Sequence, residues 1–196
     1  ATADQTTDFT SAWTTGNESF ERRMVSGAEP QSFYSTYNRT TDEGRIEEEF
    51  YSTGTHGYVR ISHENYPESQ LNNETLYTVL QNSTPLAAGV SGWTGEGSAT
   101  PQSELRFQLI SGNYSVNGTV ERGDRTFVQL TADEPSAAPP NFYAAYEGTV
   151  LVTPEGVVYE VDASTVPERD GEEARTDLSM TLDTGVEWSG APAWVD

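Results

Sequence analysis

The sequence lacks cysteine and lysine altogether, and it has only two histidines among its 196 residues. Without cysteine the chain cannot form a disulfide, a thiolate metal site or a cysteine nucleophile. No apolar run approaches the roughly 20 residues that a membrane-spanning helix needs. Residues 1–20 also lack the basic and apolar pattern of a secretory signal peptide. We therefore expect a soluble chain, or the mature part of a longer one.

The charge of the chain is strongly one-sided. Thirty-one acidic residues stand against ten arginines, which gives a formal net charge of −21. Such a charge destabilises a compact fold through self-repulsion unless salt screens it, and at 1 M salt the Debye length falls to about 3 Å. Hyperthermophilic proteins gain lysine together with glutamate, so the missing lysine argues against heat adaptation. The composition therefore predicts a protein of a halophilic organism.

The same composition excludes some partners. Affinity for nucleic acid comes from clustered lysine and arginine, so we expect no nucleic-acid partner. Binding to anionic lipid surfaces through a basic patch is disfavoured for the same reason. In a halophile an acidic surface is an adaptation to the salt of the solvent, so it does not by itself indicate a basic partner.

Six Asn-x-Ser/Thr sequons occur among the nine asparagines. The motif has a physical meaning where the chain meets a glycosylation machinery, which favours export. The alternative is that Asn, Ser and Thr simply crowd the turns of a strand-rich protein. The sixth sequon begins at Asn117, which the pattern places in the middle of a strand. The candidate glycosylation sites are Asn17, Asn38, Asn73, Asn82 and Asn113.

Three helices are predicted. The first covers residues 9–24, where Phe9 and Met24 belong to an apolar stripe at helical spacing. A second begins after Asn73, which resembles an N-cap residue. A third runs from Pro101, a favourable first helical residue, to a stop at Gly112.

About eight strands are predicted from alternating apolar and polar residues bounded by turn signals. They cover residues 32–40, 45–52, 58–63, 114–120, 126–131, 146–152, 157–163 and 177–183. Runs of strands separated by a helical insertion indicate an α+β fold with an antiparallel sheet and helices on one face. Residues 1–8 are polar and predict a flexible N-terminal segment, and residues 9–196 predict a single domain.

A recognisable series of strands and turns occupies the C-terminal part of the chain. It begins with Tyr114-Ser-Val-Asn-Gly-Thr-Val120 and an Arg-Gly-Asp-Arg turn. It continues with Tyr146-Glu-Gly-Thr-Val-Leu-Val152, a Pro-Glu-Gly turn and Val157-Val-Tyr-Glu-Val161, and it ends with Pro192-Ala-Trp-Val-Asp196. Together these segments resemble the haloarchaeal surface lipoproteins related to the LolA/LppX superfamily.

This resemblance implies a fold and a role. The fold is a strongly curved antiparallel sheet, a half or unclosed β-barrel, with helices covering its concave face. The role is to carry or sense a lipid or another hydrophobic ligand between sheet and helices. The lipobox cysteine of such lipoproteins is missing here. The resemblance therefore leaves open whether the protein is lipid-anchored, peripherally associated with a membrane or secreted free.

Apolar residues that share the inner face of such a sheet are the candidates for a ligand cavity, since ligand pockets are concave and mostly apolar. The alternative is that the same side chains fill a close-packed core. The candidate cavity residues are Phe50, Val59, Ile61, Leu76, Leu80, Val116, Val128, Val150, Val152, Tyr159, Val161 and Met180.

No motif for catalysis or metal binding stands out. The sequence has no P-loop, no dinucleotide-binding glycine fingerprint, no nucleophile elbow and no zinc-protease motif. His56 and His63 are seven residues apart, so on one regular strand they would point to opposite faces. The acidic segment 168–173 lacks the spacing of a calcium-binding loop. We expect a non-catalytic protein without a metal or cofactor.

Two functions are therefore predicted. The first is an exported protein, associated with the cell surface of a halophilic archaeon, that binds or carries a lipid or other apolar molecule in a half-barrel cavity. The second is a structural or interaction module of the archaeal cell envelope, with a filled core and with protein or glycan partners.

Overall fold

A computed structural model of the chain describes residues 6–27, 32–53, 57–65, 101–137, 143–168 and 175–195. Within these residues it contains ten strands and one helix. The elements are β1 (Thr7–Thr15), β2 (Glu18–Ser26), β3 (Ser32–Thr41), β4 (Gly44–Thr53), β5 (Gly57–His63), α1 (Pro101–Ser111), β6 (Ser115–Arg122), β7 (Arg125–Ala132), β8 (Tyr143–Val152), β9 (Val158–Pro167) and β10 (Thr176–Thr184). No helix in the described ranges has the length and apolarity that crossing a bilayer requires.

The ten strands form one large sheet in the order β5-β4-β3-β2-β1-β10-β9-β8-β7-β6. Strands β2 to β5 pair antiparallel with their neighbours in sequence, and so do β6 to β10. The pairing of β1 with β10 is the one that joins strands far apart in the chain. Strands β5 and β6 lie at the two ends of this order, so the sheet is not closed.

The predicted helix over residues 9–24 is wrong, because these residues form the hairpin of β1 and β2. Phe9 and Ser11 are buried while the residue between them is half-buried, which is the alternation of a strand. Gly16 adopts a φ of 58°, which lets the chain reverse between the two strands. Strand β1 starts at Thr7, inside the segment 1–8 that was expected to be flexible.

The predicted strands and the helix predicted from Pro101 agree with the structure. All eight predicted strands are present, and the two additional strands of the described chain come from the residues predicted to be the first helix. The helix predicted from Pro101 is confirmed by α1. The helix predicted after Asn73 lies outside the described residues.

The chain divides into two compact units. Unit 1 contains Ala1–Thr10, Glu18–Thr100 and Asp183–Asp196, and unit 2 contains Ser11–Asn17 and Pro101–Leu182.

In unit 1, one cluster of apolar core residues lies on one face of β3 to β5. Phe50 and Val59 are directly paired across β4 and β5 and are both buried. Phe33 and Ile61 pack against this pair, and the rings of Phe33 and Phe50 lie 5.3 Å apart. Because directly paired residues of antiparallel strands point to the same side, the register assigns this face without ambiguity. We call it the Phe50 face.

In unit 2, helix α1 lies against strands β8 and β9 through a cluster of tyrosines. The Tyr146 hydroxyl donates a hydrogen bond to the Gln108 carbonyl oxygen at 3.1 Å and shares a second, of 2.8 Å, with the Tyr114 hydroxyl. Burial raises the pKa of Tyr146, so its hydroxyl stays protonated. A Cβ at Gly112 would lie 2.5 Å from the Tyr146 ring, so only glycine permits this close approach.

Candidate ligand-binding face

The Phe50 face brings together three of the predicted cavity residues. Phe50 and Val59 form a buried pair, and Ile61 follows two positions after Val59 on the same side of β5. Ile61 and Phe33 are only half-buried, so they form the accessible part of this apolar cluster. Leu76 and Leu80, also predicted to line the cavity, lie outside the described residues.

A row of polar side chains crosses the same face beside the apolar cluster. Arg22 pairs with Tyr37, Tyr37 pairs with Glu48, and Glu48 pairs with Ile61 across β2 to β5. Burial raises the pKa of Glu48 above the ordinary value of a glutamate, because desolvation disfavours the charged form. The Phe50 face therefore combines an apolar cluster with a few polar groups, which is the composition of many ligand sites.

The opposite face of β3 to β5 is occupied by the C-terminal segment 183–195. The Glu49 carboxylate accepts hydrogen bonds from the Tyr34 hydroxyl and from the Trp194 Nε1, the latter at 3.2 Å. The ring of Trp188 stacks on Tyr51, with the centroids 6.4 Å apart. The chain itself covers this face of unit 1. The candidate site is therefore the Phe50 face.

The hydrogen bond to Glu49 also affects the pKa of Tyr34. Desolvation and the hydrogen bond to Glu49 both raise the pKa of the Tyr34 hydroxyl, so it remains a donor. The sequence predicts Glu49 on the outward face and Trp194 packed on the sheet, but it gives no signal that joins the two, since 145 positions separate them. Only the strand register brings Tyr34 and Glu49 onto one face, where Tyr34 pairs with Tyr51 and Glu49 with Thr36.

In unit 2, five predicted cavity residues share one face of β7 to β10. Val150 pairs with Val161, and Val161 with Met180; their exposed fractions are 0 %, 0 % and 3 %. A side chain at 0 % exposure has no room for even a water molecule against it. Val128 and Val152 pair with each other and are half-buried.

The two remaining candidates of unit 2 are in other settings. Val116 pairs with Leu130, which pairs with Val150, so it lies on the same side of the sheet, but it is 70 % exposed because β6 is an end strand. Tyr159 stacks on Phe127 at 4.7 Å, and Phe127 points away from the face that bears its neighbour Val128. Tyr159 is displaced from the Val161 face because the register of β9 shifts there, with Glu160 opposite Leu151 and Val158 opposite Val152.

The candidate glycosylation sites occupy different settings. Asn17 is exposed in the turn between β1 and β2, and Asn113 is exposed between α1 and β6. Asn38 lies within β3, between its partners Glu21 and Glu47. The sites Asn73 and Asn82 fall outside the described residues.

Within the described ranges, no group of three or more His, Asp or Glu side chains could hold a metal ion. The Nδ1 atom of His63 accepts a hydrogen bond from the backbone N–H of Asn65 at 3.0 Å. His56 lies outside the described residues, as does most of the acidic segment 168–173.

Comparison with known proteins gives structural likenesses only. No family model and no curated protein matches the chain. LprF from Mycobacterium bovis is 10 % identical with a TM-score of 0.45, over 95 % of this chain and 89 % of that one. MucB in complex with MucA(peri) is 12 % identical with a TM-score of 0.32, over 97 % of this chain and 56 % of that one.

A third likeness is to the MucA/MucB complex of Pseudomonas aeruginosa, at 12 % identity and a TM-score of 0.29, over 98 % of this chain and 55 % of that one. The chain thus spans little more than half the length of the chains in these last two structures. Likenesses of this order do not establish a family, and the LolA/LppX-like fold stays a prediction. The observed fold is the large, unclosed antiparallel sheet.

Proposed function

We propose that the protein binds a lipid or another hydrophobic ligand on the Phe50 face of unit 1, without catalysis. The observation that supports this is the arrangement of the face itself. The buried pair Phe50 and Val59 is flanked by the half-buried Phe33 and Ile61, with the polar row of Glu48 beside them. An apolar ligand would gain affinity by covering Phe33 and Ile61, while a polar group on it could pair with the row.

The face of unit 2 is a weaker candidate for the same ligand. Val150 and Val161 are already fully enclosed by the chain's own atoms, and helix α1 holds the neighbouring Tyr146 by hydrogen bonds. A ligand would have to displace these contacts before it could touch either valine. We therefore assign the ligand to unit 1 and a structural role to Val150, Val161 and Met180.

The setting proposed for this function is the surface of a halophilic archaeon. The net charge of −21 favours a high-salt solvent, and the six sequons favour export. Association with the membrane would be peripheral or through a lipid anchor. No metal or cofactor is part of the proposal.

The alternative function is a structural or interaction module of the cell envelope, with a filled core and with protein or glycan partners. The complete burial of Val150 and Val161 favours this alternative, because it shows a close-packed interior in part of the sheet. The two functions differ in whether a ligand accompanies the purified protein.

The test is to extract the protein, purified in molar salt, with organic solvent and to identify bound lipid by mass spectrometry. We expect Ile61→Ser to lower the recovered lipid about tenfold, since about 1.4 kcal/mol of lost apolar contact corresponds to that factor. The matched control Val116→Ser changes an exposed residue of the same predicted set and should leave recovery unchanged. Repeated recovery of empty wild-type protein, or an equal loss in both variants, would overturn the proposal.

A further inference from the structure

Strand β6 has a backbone edge that no other described strand pairs with. Among the described strands it pairs with β7 alone, and it stands at one end of the sheet. The side chains from Ser115 to Thr119 are all exposed. An end strand of this kind is a template for pairing with another chain, so soluble proteins cover or interrupt such edges.

The sequon that begins at Asn117 lies on this edge, at an irregularity of the strand. The register of β6 against β7 shifts between Val116 and Thr119, and Gly118 adopts a φ of 103°. Asn117 is thus exposed at a bulge rather than held within a regular ladder. Its Nδ2 donates to the Gln129 Oε1 over a long 3.4 Å contact, which an incoming group can displace at little cost.

The Asn38 sequon occupies the opposite kind of setting. Asn38 is enclosed between β2 and β4, where it pairs with Glu21 and Glu47, and its Oδ1 is buried. The half-buried Asn38 side chain, with its Oδ1 buried, is therefore less accessible to a transferase than the exposed Asn117. Asn113, by contrast, is exposed, but its Nδ2 donates to Glu134 Oε1 at 2.7 Å and its backbone N–H donates to the Glu134 carbonyl oxygen at 3.0 Å.

We propose that Asn117 carries an N-linked glycan that covers this edge of β6 and prevents a second copy of the chain from pairing there. The proposal rests on the export proposed above. The donor is an oligosaccharide joined to a polyisoprenyl lipid through pyrophosphate. The Asn117 Nδ2 forms a bond to the anomeric carbon, the bond from that carbon to the pyrophosphate oxygen breaks, and the displaced proton leaves with a base of the transferase.

The test uses the folded chain, a purified oligosaccharyltransferase and a lipid-pyrophosphate-linked oligosaccharide. Cleavage at arginine releases residues 107–122, and this peptide contains both Asn113 and Asn117. Its mass shows whether a glycan is attached, and the variants N113Q and N117Q show which of the two asparagines carries it. We expect N117Q to lose this modification and the matched control N38Q to keep it. Unmodified wild-type protein, or modification that persists in N117Q, would overturn the assignment.

Two further measurements separate the parts of the proposal. Sedimentation velocity should show the unmodified chain associating at concentrations at which the glycosylated chain stays monomeric; equal sedimentation would overturn the covering role. A chain that is modified in vitro but bare when isolated from its natural host would overturn the export on which the proposal rests, and not the accessibility of Asn117.

Discussion

Glu48 is a carboxylic acid placed beside an apolar cluster. It lies between Tyr37 and Ile61 on the Phe50 face, and burial raises its pKa. The folded protein therefore keeps the Glu48 proton to a higher pH than the unfolded chain does. By linkage, the contribution of Glu48 to stability is lost as the pH rises through this range.

Glu48→Gln should accordingly raise the free energy of unfolding at pH 7, because it removes a charge that the folded state must desolvate. The gain should vanish by about pH 3, where the carboxyl is protonated in both states, since an ordinary glutamate has a pKa of about 4.3. Urea unfolding in molar salt at both pH values measures the difference.

The control for net charge is Glu121→Gln, which removes the same charge from an exposed position on β6. The stabilisation by Glu48→Gln at pH 7 should exceed that of Glu121→Gln. Equal effects would mean that overall charge, and not burial of Glu48, accounts for the result.

Trp194 joins the C-terminal segment to β4 by a hydrogen bond to Glu49. Trp194→Phe keeps a ring but removes the N–H that donates to Glu49, so we expect it to lower the free energy of unfolding by about 1 kcal/mol. Tyr34→Phe removes a second donor to the same carboxylate. A double-mutant cycle should show coupling between the two changes, and strict additivity would contradict a shared carboxylate.

At the scale of elements, helix α1 and strand β8 approach closely because two glycines leave room for tyrosine rings. A Cβ at Gly148 would lie 2.6 Å from the Tyr114 hydroxyl and 2.9 Å from the Tyr146 ring. We expect Gly148→Ala to cost about 1–3 kcal/mol of stability, as overpacking does. Thermal or urea unfolding measures this loss.

The matched variant is Gly148→Ala combined with Tyr114→Phe. Removing the hydroxyl relieves the shorter of the two contacts, so the double variant should lose less stability than the sum of the single changes. A loss equal to that sum would show that the hydroxyl contact is not the cause.

The sequence predicted most of these elements because the eight later strands are segments of alternating or β-prone residues bounded by turn signals. The first hairpin was missed for a definite reason. Phe9 and Trp13 are four residues apart, as are Phe20 and Met24, and an even spacing of four fits both a helix and a strand. The signal that could have decided it was the β-branched threonines of β1 followed by Gly16, which permits a tight reversal.

The candidate site was predictable only in part. Phe50, Val59 and Ile61 fall on one face because alternation and hairpin pairing together place them there. Tyr159 was misplaced because a register shift breaks alternation without leaving a mark in the sequence. The contact of Glu49 with Trp194 joins distant segments, and no local pattern encodes it.

At the scale of the whole molecule, the net charge of −21 predicts that the fold is stable only in high salt. Circular dichroism should show loss of structure as salt falls from molar to about 0.1 M, because the Debye length then grows to about 10 Å and repulsion extends between neighbouring carboxylates. A fold indifferent to this change would contradict halophilic adaptation.

A charge-reduced variant is the control for that experiment. Glu121→Gln, Glu155→Gln and Asp183→Asn together remove three exposed negative charges. The variant should unfold at a lower salt concentration than the wild type. An unchanged midpoint would mean that salt acts through something other than screening.

The sheet cannot be completed before β10 has been synthesised, because β10 pairs with β1. The hydroxyls of Thr15 and Thr176 are 2.7 Å apart although 161 positions separate them, and Gly185 N–H donates to the Thr6 carbonyl oxygen. On the ribosome, Thr15 of β1 is synthesised 161 positions before Thr176 of β10. One side of β1 must therefore stay unpaired until β10 has been synthesised, and the closing of that long loop is a slow step of folding.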